Sequence, residues 1–154
     1  MAEKNPALFS NIIEIRMEES PDKVGFIFEN GGLYPDEEIT YKEMAANSFK
    51  LANAYKDVGI SQGDTVALVM RNHPESVYAM SAANLTGTVV VPIDPRSKGE
   101  KLSYMLQDCK AKAVITTADL LPEVEAAAVG IRGLDNIWLN LKPDADPSLA
   151  DKYP

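Results

Sequence analysis

One cysteine, one histidine and one tryptophan in 154 residues exclude more chemistry than the abundant residues suggest. A single thiol, Cys109, allows no internal disulfide and no thiolate metal cluster, which suits a reducing compartment. A single imidazole, His73, rules out a two-histidine zinc motif and would have to serve any Ser-His-Asp triad. Basic charge is scarce too: 15 Lys and Arg against 23 Asp and Glu give a net charge of −8, with the basic residues scattered. Nucleic acid is therefore not an expected partner, and an anionic membrane surface would repel the chain. Long apolar runs are missing: no segment approaches the ~20 residues of a membrane helix, and the acidic N-terminus is unlike a signal peptide. The expected location is cytoplasmic, with no transmembrane segment.

What is present is the composition of a folded domain, 45% hydrophobic and 25% charged, in a chain able to bury roughly two-thirds of its unfolded surface and to fold as one unit. Asn5 and Pro6 can open a helix whose apolar residues are Leu8, Phe9, Ile12, Ile13 and Met17, ending near Ser20-Pro21. "VGFIFENGGLYPDEEITY" places two β-prone runs around Asn30-Gly31-Gly32, the one antiparallel signal. Thr40 and Glu43 then read as a capping box for a helix with Met44, Ser48, Leu51, Ala52 and Tyr55 on one face and Gly59 after its end.

From there strands alternate with helices. "DTVALVM", "TVVVPI", "KAVITT" and "NIWLNL" read as strands, separated by "HPESVYAMSAANLT", an S-x-x-E helix beginning at Ser97 and Glu100, and "LLPEVEAAAV". Leu102, Met105, Leu106 and Cys109 form the clearest amphipathic stripe. Apolar strands without polar alternation require helices on both faces of a mostly parallel sheet, so the expected class is α/β with one N-terminal β-hairpin. Pro92, near the end of its strand, is tolerated where that strand lies at an edge.

Candidate chemistry is thin. "GISQG" lacks the Lys-Ser/Thr of a P-loop and "GIRG" is too short for a dinucleotide fingerprint. His73, in "RNHPES", reads as a helix-start cap or exposed residue, with a substrate-lining role as the alternative. Cys109 reads as a small hydrophobe rather than a nucleophile, and the pairs Glu18-Glu19 and Glu37-Glu38 as solvated faces. Arg96 follows the C-terminal end of a parallel strand, the side on which open α/β sheets place ligands; it reads either as an anion contact or as half of a surface ion pair.

The order of "ITYKEM", the G-(x)3-GD-x-V-A entry at Gly59 to Ala67, "RNHPE" and "NLTGTVVVPIDPR" resembles the N-terminal portion of the adenylate-forming superfamily over roughly residues 8 to 141. That superfamily comprises acyl-CoA synthetases, adenylation domains of peptide synthetases, and luciferases. The resemblance implies a parent that joins a carboxylic acid to ATP as an acyl-adenylate and then to the thiol of coenzyme A, using ATP, Mg2+ and coenzyme A, in fatty acid metabolism. The run through "PIDPR" favours the acid–CoA ligase branch; a fragment of a carrier-loading adenylation domain and a non-catalytic binding or regulatory module are the alternatives.

The family's Ser/Thr/Gly-rich phosphate loop, ribose-binding aspartate and catalytic lysine are not found in these residues. The resemblance therefore implies a fragment, inactive alone, with no catalytic or metal-binding residues and no tightly bound cofactor. Residues 1–141 would be a partial N-terminal domain and 142–154 a linker-like tail. In some aryl-CoA ligases of the family the arginine of an N-P-R turn contacts a phosphate of coenzyme A; here the turn is Asp94-Pro95-Arg96, so the arginine matches and the asparagine is an aspartate. A partial sheet is also expected to expose apolar surface and to self-associate through it.

Overall fold

The structure, a computed structural model, describes residue 5 and residues 8–32, 35–141 and 146–152. It divides into two compact units, Met1–Ser61 with His73–Gly87, and Gln62–Asn72 with Thr88–Pro154.

The first unit contains three helices and a hairpin. Helix α1 (Phe9–Glu19) starts later than expected. Pro6 lies outside the described residues, and Asn5 contributes its carbonyl, which accepts from Leu8 N–H at 3.2 Å and Asn11 Nδ2 at 3.0 Å. The N-cap is Leu8, which has no side-chain acceptor. The apolar face of α1 is only partly used: Ile13 is buried and Met17 half-buried, whereas Leu8, Phe9 and Ile12 remain exposed. Strands β1 (Val24–Phe28) and β2 (Glu37–Thr40) pair antiparallel, as expected. Gly25 is the extra residue of a bulge between Val24 and Phe26; a Cβ there would come within 3.1 Å of the Tyr41 ring, so the close packing of β1 on helix α2 favours glycine.

Helix α2 (Tyr41–Asp57) begins with the expected capping box. Glu43 N–H donates to Thr40 Oγ1 at 3.2 Å, and Thr40 N–H to Glu43 Oε2 at 2.9 Å. Its buried face carries Met44, Ala45, Ser48, Ala52 and Tyr55, with the Ser48 hydroxyl donating to the Met44 carbonyl at 2.7 Å. Helix α3 (Pro74–Thr86) has Pro74 in its first turn, and Gly87, at φ +72°, terminates it with an N–H bond to Ala83 O. Ile13, Met44, Ala45 and Tyr78 form the core among these elements.

The second unit is a four-stranded parallel sheet of β3 (Thr65–Val69), β4 (Val89–Ile93), β5 (Ala111–Thr117) and β6 (Asn136–Asn140), in the order β4-β3-β5-β6. Helices α4 (Gly99–Asp108) and α5 (Leu121–Ala128) follow β4 and β5. Leu102, Leu106, Val124 and Ala127 pack with Ala67, Val69, Ile93 and Val114 into one core, each large side chain contributing ~1.5–3 kcal/mol on burial. On the opposite pleat of the central strands, Val66, Leu68, Ala113 and Ile115 are no more than 5% exposed. The α/β class and parallel sheet are those expected from the sequence.

Two expectations fail in informative ways. The apolar run of β4 predicts a strand buried on both faces; among the described residues it is an edge strand with Val89 and Pro92 exposed. That edge position is also what tolerates the missing N–H of Pro92. The S-x-x-E box at Ser97 and Glu100 does not form. Lys98 is the N-cap without a side-chain cap bond, and Gly99 takes φ +52°. Within residues 142–154, Leu149–Lys152 form a one-turn helix, α6, with Lys152 Nζ 3.0 Å from Glu125 Oε1 on α5. Residues 142–145 and 153–154 of that tail lie outside the described residues. Among the described residues, no helix is long and apolar enough to cross a membrane.

Candidate functional site

The turn from β4 into α4 holds Arg96. Pro95 constrains the backbone, Ser97 N–H donates to Asp94 O at 2.8 Å, and Arg96 N–H donates to Asp94 Oδ1 at 2.9 Å. Those bonds fold the Arg96 side chain onto its neighbour. Its Nη2 lies 2.7 Å from Asp94 Oδ2, and its Nε lies 3.1 and 3.2 Å from the two carboxylate oxygens. The hydrogen bonds from Arg96 hold the Asp94 carboxyl down at about 2, and Asp94 in turn raises the guanidinium. The arginine side chain is nonetheless 89% exposed, so its outer edge faces solvent. Asp94 therefore acts as an internal counterion to Arg96, a role signalled in the sequence only by acid and base two residues apart across a proline.

Further positive charge lies beside this turn. Lys98 precedes α4 and pairs with Glu123 of α5 at 3.2 Å, and Lys101 lies close enough to Asp94 to lower its pKa further. The Ser97 hydroxyl points the other way: it is buried and has no hydrogen-bond partner among the described residues. The start of α4 thus carries a guanidinium and an ammonium, each already paired with a carboxylate.

Of the other sequence candidates, Cys109 does not converge on Arg96. Cys109 caps the far end of α4, a ten-residue helix about 15 Å long. Its thiol donates to Leu106 O at 3.5 Å, and burial pushes its pKa up, the setting of a packed thiol rather than a nucleophile. His73 belongs to the first unit, where it makes no side-chain cap bond. Its ring stacks on Phe28 with centroids 5.6 Å apart and planes at 21°. The expected capping or exposed role is corrected to a half-buried aromatic contact between β1 and the start of α3.

The strand order adds residues that the sequence could not single out. In a sheet ordered β4-β3-β5-β6 the chain reverses direction of winding at β3, so the ligand crevice of an open α/β sheet lies between the C-terminal ends of β3 and β5. There Thr116 Oγ1 donates to Val69 O at 2.8 Å, joining the two strand ends, and Thr117 Oγ1 donates to Asp119 Oδ1 at 2.6 Å in the turn after β5. Arg96 instead follows β4, at the sheet edge. Among the described residues, no three His, Cys, Asp or Glu side chains gather as a metal-holding group.

A model of the AMP-binding enzyme family matches residues 13–150, nearly the whole described chain. The chain belongs to the AMP-binding enzyme family. It is 30% identical over 142 residues to an acetyl-coenzyme A synthetase of Brucella canis, a match covering 92% of this chain and 20% of that protein. A long-chain-fatty-acid-CoA ligase of Archaeoglobus fulgidus superposes with a TM-score of 0.77 at 19% identity, covering 90% of this chain and 28% of that one. A benzoate CoA ligase of Burkholderia xenovorans superposes with a TM-score of 0.73 at 22% identity, covering 87% and 25%. These superpositions carry the fold. The chain spans about a fifth of the length of the curated relatives it matches.

Proposed function

We propose that this chain is the N-terminal part of an ATP-dependent carboxylic acid–CoA ligase, which forms an acyl-adenylate and then an acyl-CoA. The observation that carries the reading is the family match across residues 13–150, in a chain whose named relatives include a CoA synthetase and CoA ligases. The parent would use ATP, Mg2+ and coenzyme A on a small-molecule carboxylic acid, in the cytoplasm and in fatty acid metabolism. Residues 1–141 would form its partial N-terminal domain and 142–154 a linker-like tail.

Taken alone, this chain would be inactive. Adenylate formation depends on groups that position the nucleotide and stabilise developing charge, and no stretch of the sequence reads as the family's phosphate loop. The contribution of these residues would be one anion contact: Arg96, exposed on its outer edge, meeting a phosphate of coenzyme A in competition with Asp94. Exposed apolar side chains such as Leu8, Phe9 and Ile12 on α1 would drive self-association of the isolated chain.

Acid-dependent release of pyrophosphate is the deciding assay. The purified 154-residue chain is expected to give no turnover with ATP, Mg2+ and short or long carboxylic acids; clear turnover would overturn its reading as an inactive part. Sedimentation velocity over a concentration series should show association, and a clean monomer at high concentration would remove that element.

A further inference from the structure

The hairpin loop carries chemistry that the ligase reading does not use. Asn30 is followed by Gly31, the pairing in which an asparagine side chain is least shielded from its neighbour's backbone nitrogen, because glycine has no Cβ to obstruct the approach. Gly31 is exposed at φ +62°, with no atom within 4 Å of where a Cβ would stand. The Asn30 amide is half-buried and fixes the loop as a donor: Nδ2 lies 2.8 Å from Pro35 O and 3.1 Å from Glu37 Oε1, while Asn30 N–H donates to Asp36 Oδ1 at 3.1 Å.

We propose that Asn30 is a deamidation site, and that its conversion to aspartate or isoaspartate unlatches the β1–β2 hairpin. The Gly31 amide nitrogen, losing its proton, attacks Asn30 Cγ. A new N–Cγ bond forms, the Cγ–NH2 bond breaks, and ammonia leaves carrying the proton. Water then opens the succinimide at either of its two carbonyls. One water is consumed and one ammonia released, so no oxidant or other reactant is needed.

The consequence follows from donor and acceptor inventory. An amide NH2 donates to Pro35 O and Glu37; a carboxylate can only accept, so both bonds are lost and a new negative charge faces the Glu37 carboxylate. The isoaspartate product also lengthens the backbone beside the Phe28–Glu37 pair that closes the hairpin, shifting its register. Asn47, followed by Ser48 within helix α2, supplies an internal comparison, since its backbone is held by the helix.

The chain is incubated at mildly alkaline pH and digested, and each asparagine-containing peptide is weighed and resolved into aspartate and isoaspartate forms. The peptide holding Asn30 is expected to convert several-fold faster than that holding Asn47, with both products present. In parallel, hydrogen exchange is followed in Asn30→Asp and Asn30→Gln. Residues 24–28 and 37–40 should lose protection in Asn30→Asp and keep most of it in Asn30→Gln, while β5 in the second unit reports that each variant is folded. Retention of the Asn30 amide while Asn47 converts, or hairpin exchange in Asn30→Asp equal to that of the parent, overturns the proposal.

Discussion

Two helices of this protein begin with the same four-residue pattern, Thr40-x-x-Glu43 before α2 and Ser97-x-x-Glu100 before α4, and only the first becomes a capping box. At the first, Thr40 is extended at φ −76°, ψ 160° and Tyr41 already begins the helix, so Glu43 folds back onto the Thr40 N–H. At the second, Lys98 is itself extended at φ −139°, ψ 164° and Gly99 is at φ +52°. Those two residues would have to be helical for Glu100 to reach Ser97. The Asp94-Pro95-Arg96 turn has meanwhile taken the Ser97 N–H. A cap is thus a property of the backbone between its two ends, and a glycine there is free to undo it.

If α4 lacks a side-chain cap, its place in the fold rests on packing. Leu106→Ala should therefore give the largest loss, ~2–5 kcal/mol, because Leu106 is fully buried among Leu102, Val114 and Val124. Urea unfolding curves would measure it; a loss below that range would mean the core of the second unit closes over the cavity. The cap of α2 predicts a smaller effect: Thr40→Ala should cost ~1 kcal/mol, since it removes the acceptor for Glu43 N–H and the partner of the Glu43 carboxylate.

Ser97→Ala then tests the other half of the comparison. A serine acting as a cap would cost about as much as Thr40, but the Ser97 hydroxyl is buried without a partner among the described residues. Its removal should leave stability unchanged or raise it by up to ~1 kcal/mol. A loss equal to that of Thr40→Ala in the same unfolding assay would show that the box forms in solution.

Much of this was legible in the sequence, for reasons visible at particular residues. The stripe of Leu102, Met105, Leu106 and Cys109 declares its buried side by spacing alone, and Gly87 and Gly59 mark helix ends because positive φ is cheap only for glycine. What could not be read depended on contacts distant in sequence or on backbone choice. Val89 looks buried until the strand order puts β4 at an edge. His73 looks like a cap until Phe28, 45 residues earlier, is found beneath its ring. Of the two readings of Arg96, anion contact or half of a surface ion pair, the structure shows the ion pair; that its partner is Asp94 needed the turn geometry.

The pH dependence of the two helix starts gives the smallest predicted effects and the finest comparison. Hydrogen bonds from the Thr40 backbone and hydroxyl lower the Glu43 pKa, and those from Arg96 bring Asp94 from its ordinary 3.8 to about 2. A depressed carboxylate pKa stabilises the fold above the unfolded-state value, and that contribution is lost as pH falls through the folded-state value. The stability advantage of the parent over Asp94→Asn should accordingly be constant above about pH 5 and shrink progressively toward pH 2. Because the Arg96–Asp94 pair is exposed, the advantage should be slight and fade in high salt. Thermal unfolding of both proteins across that pH range would read it, and an advantage that grew on acidification would contradict the ion pair. The same Asp94→Asn protein, with Arg96 relieved of its counterion, should bind coenzyme A more tightly than the parent in titrations followed by the Arg96 Nε resonance; unchanged affinity would separate Arg96 from any phosphate contact.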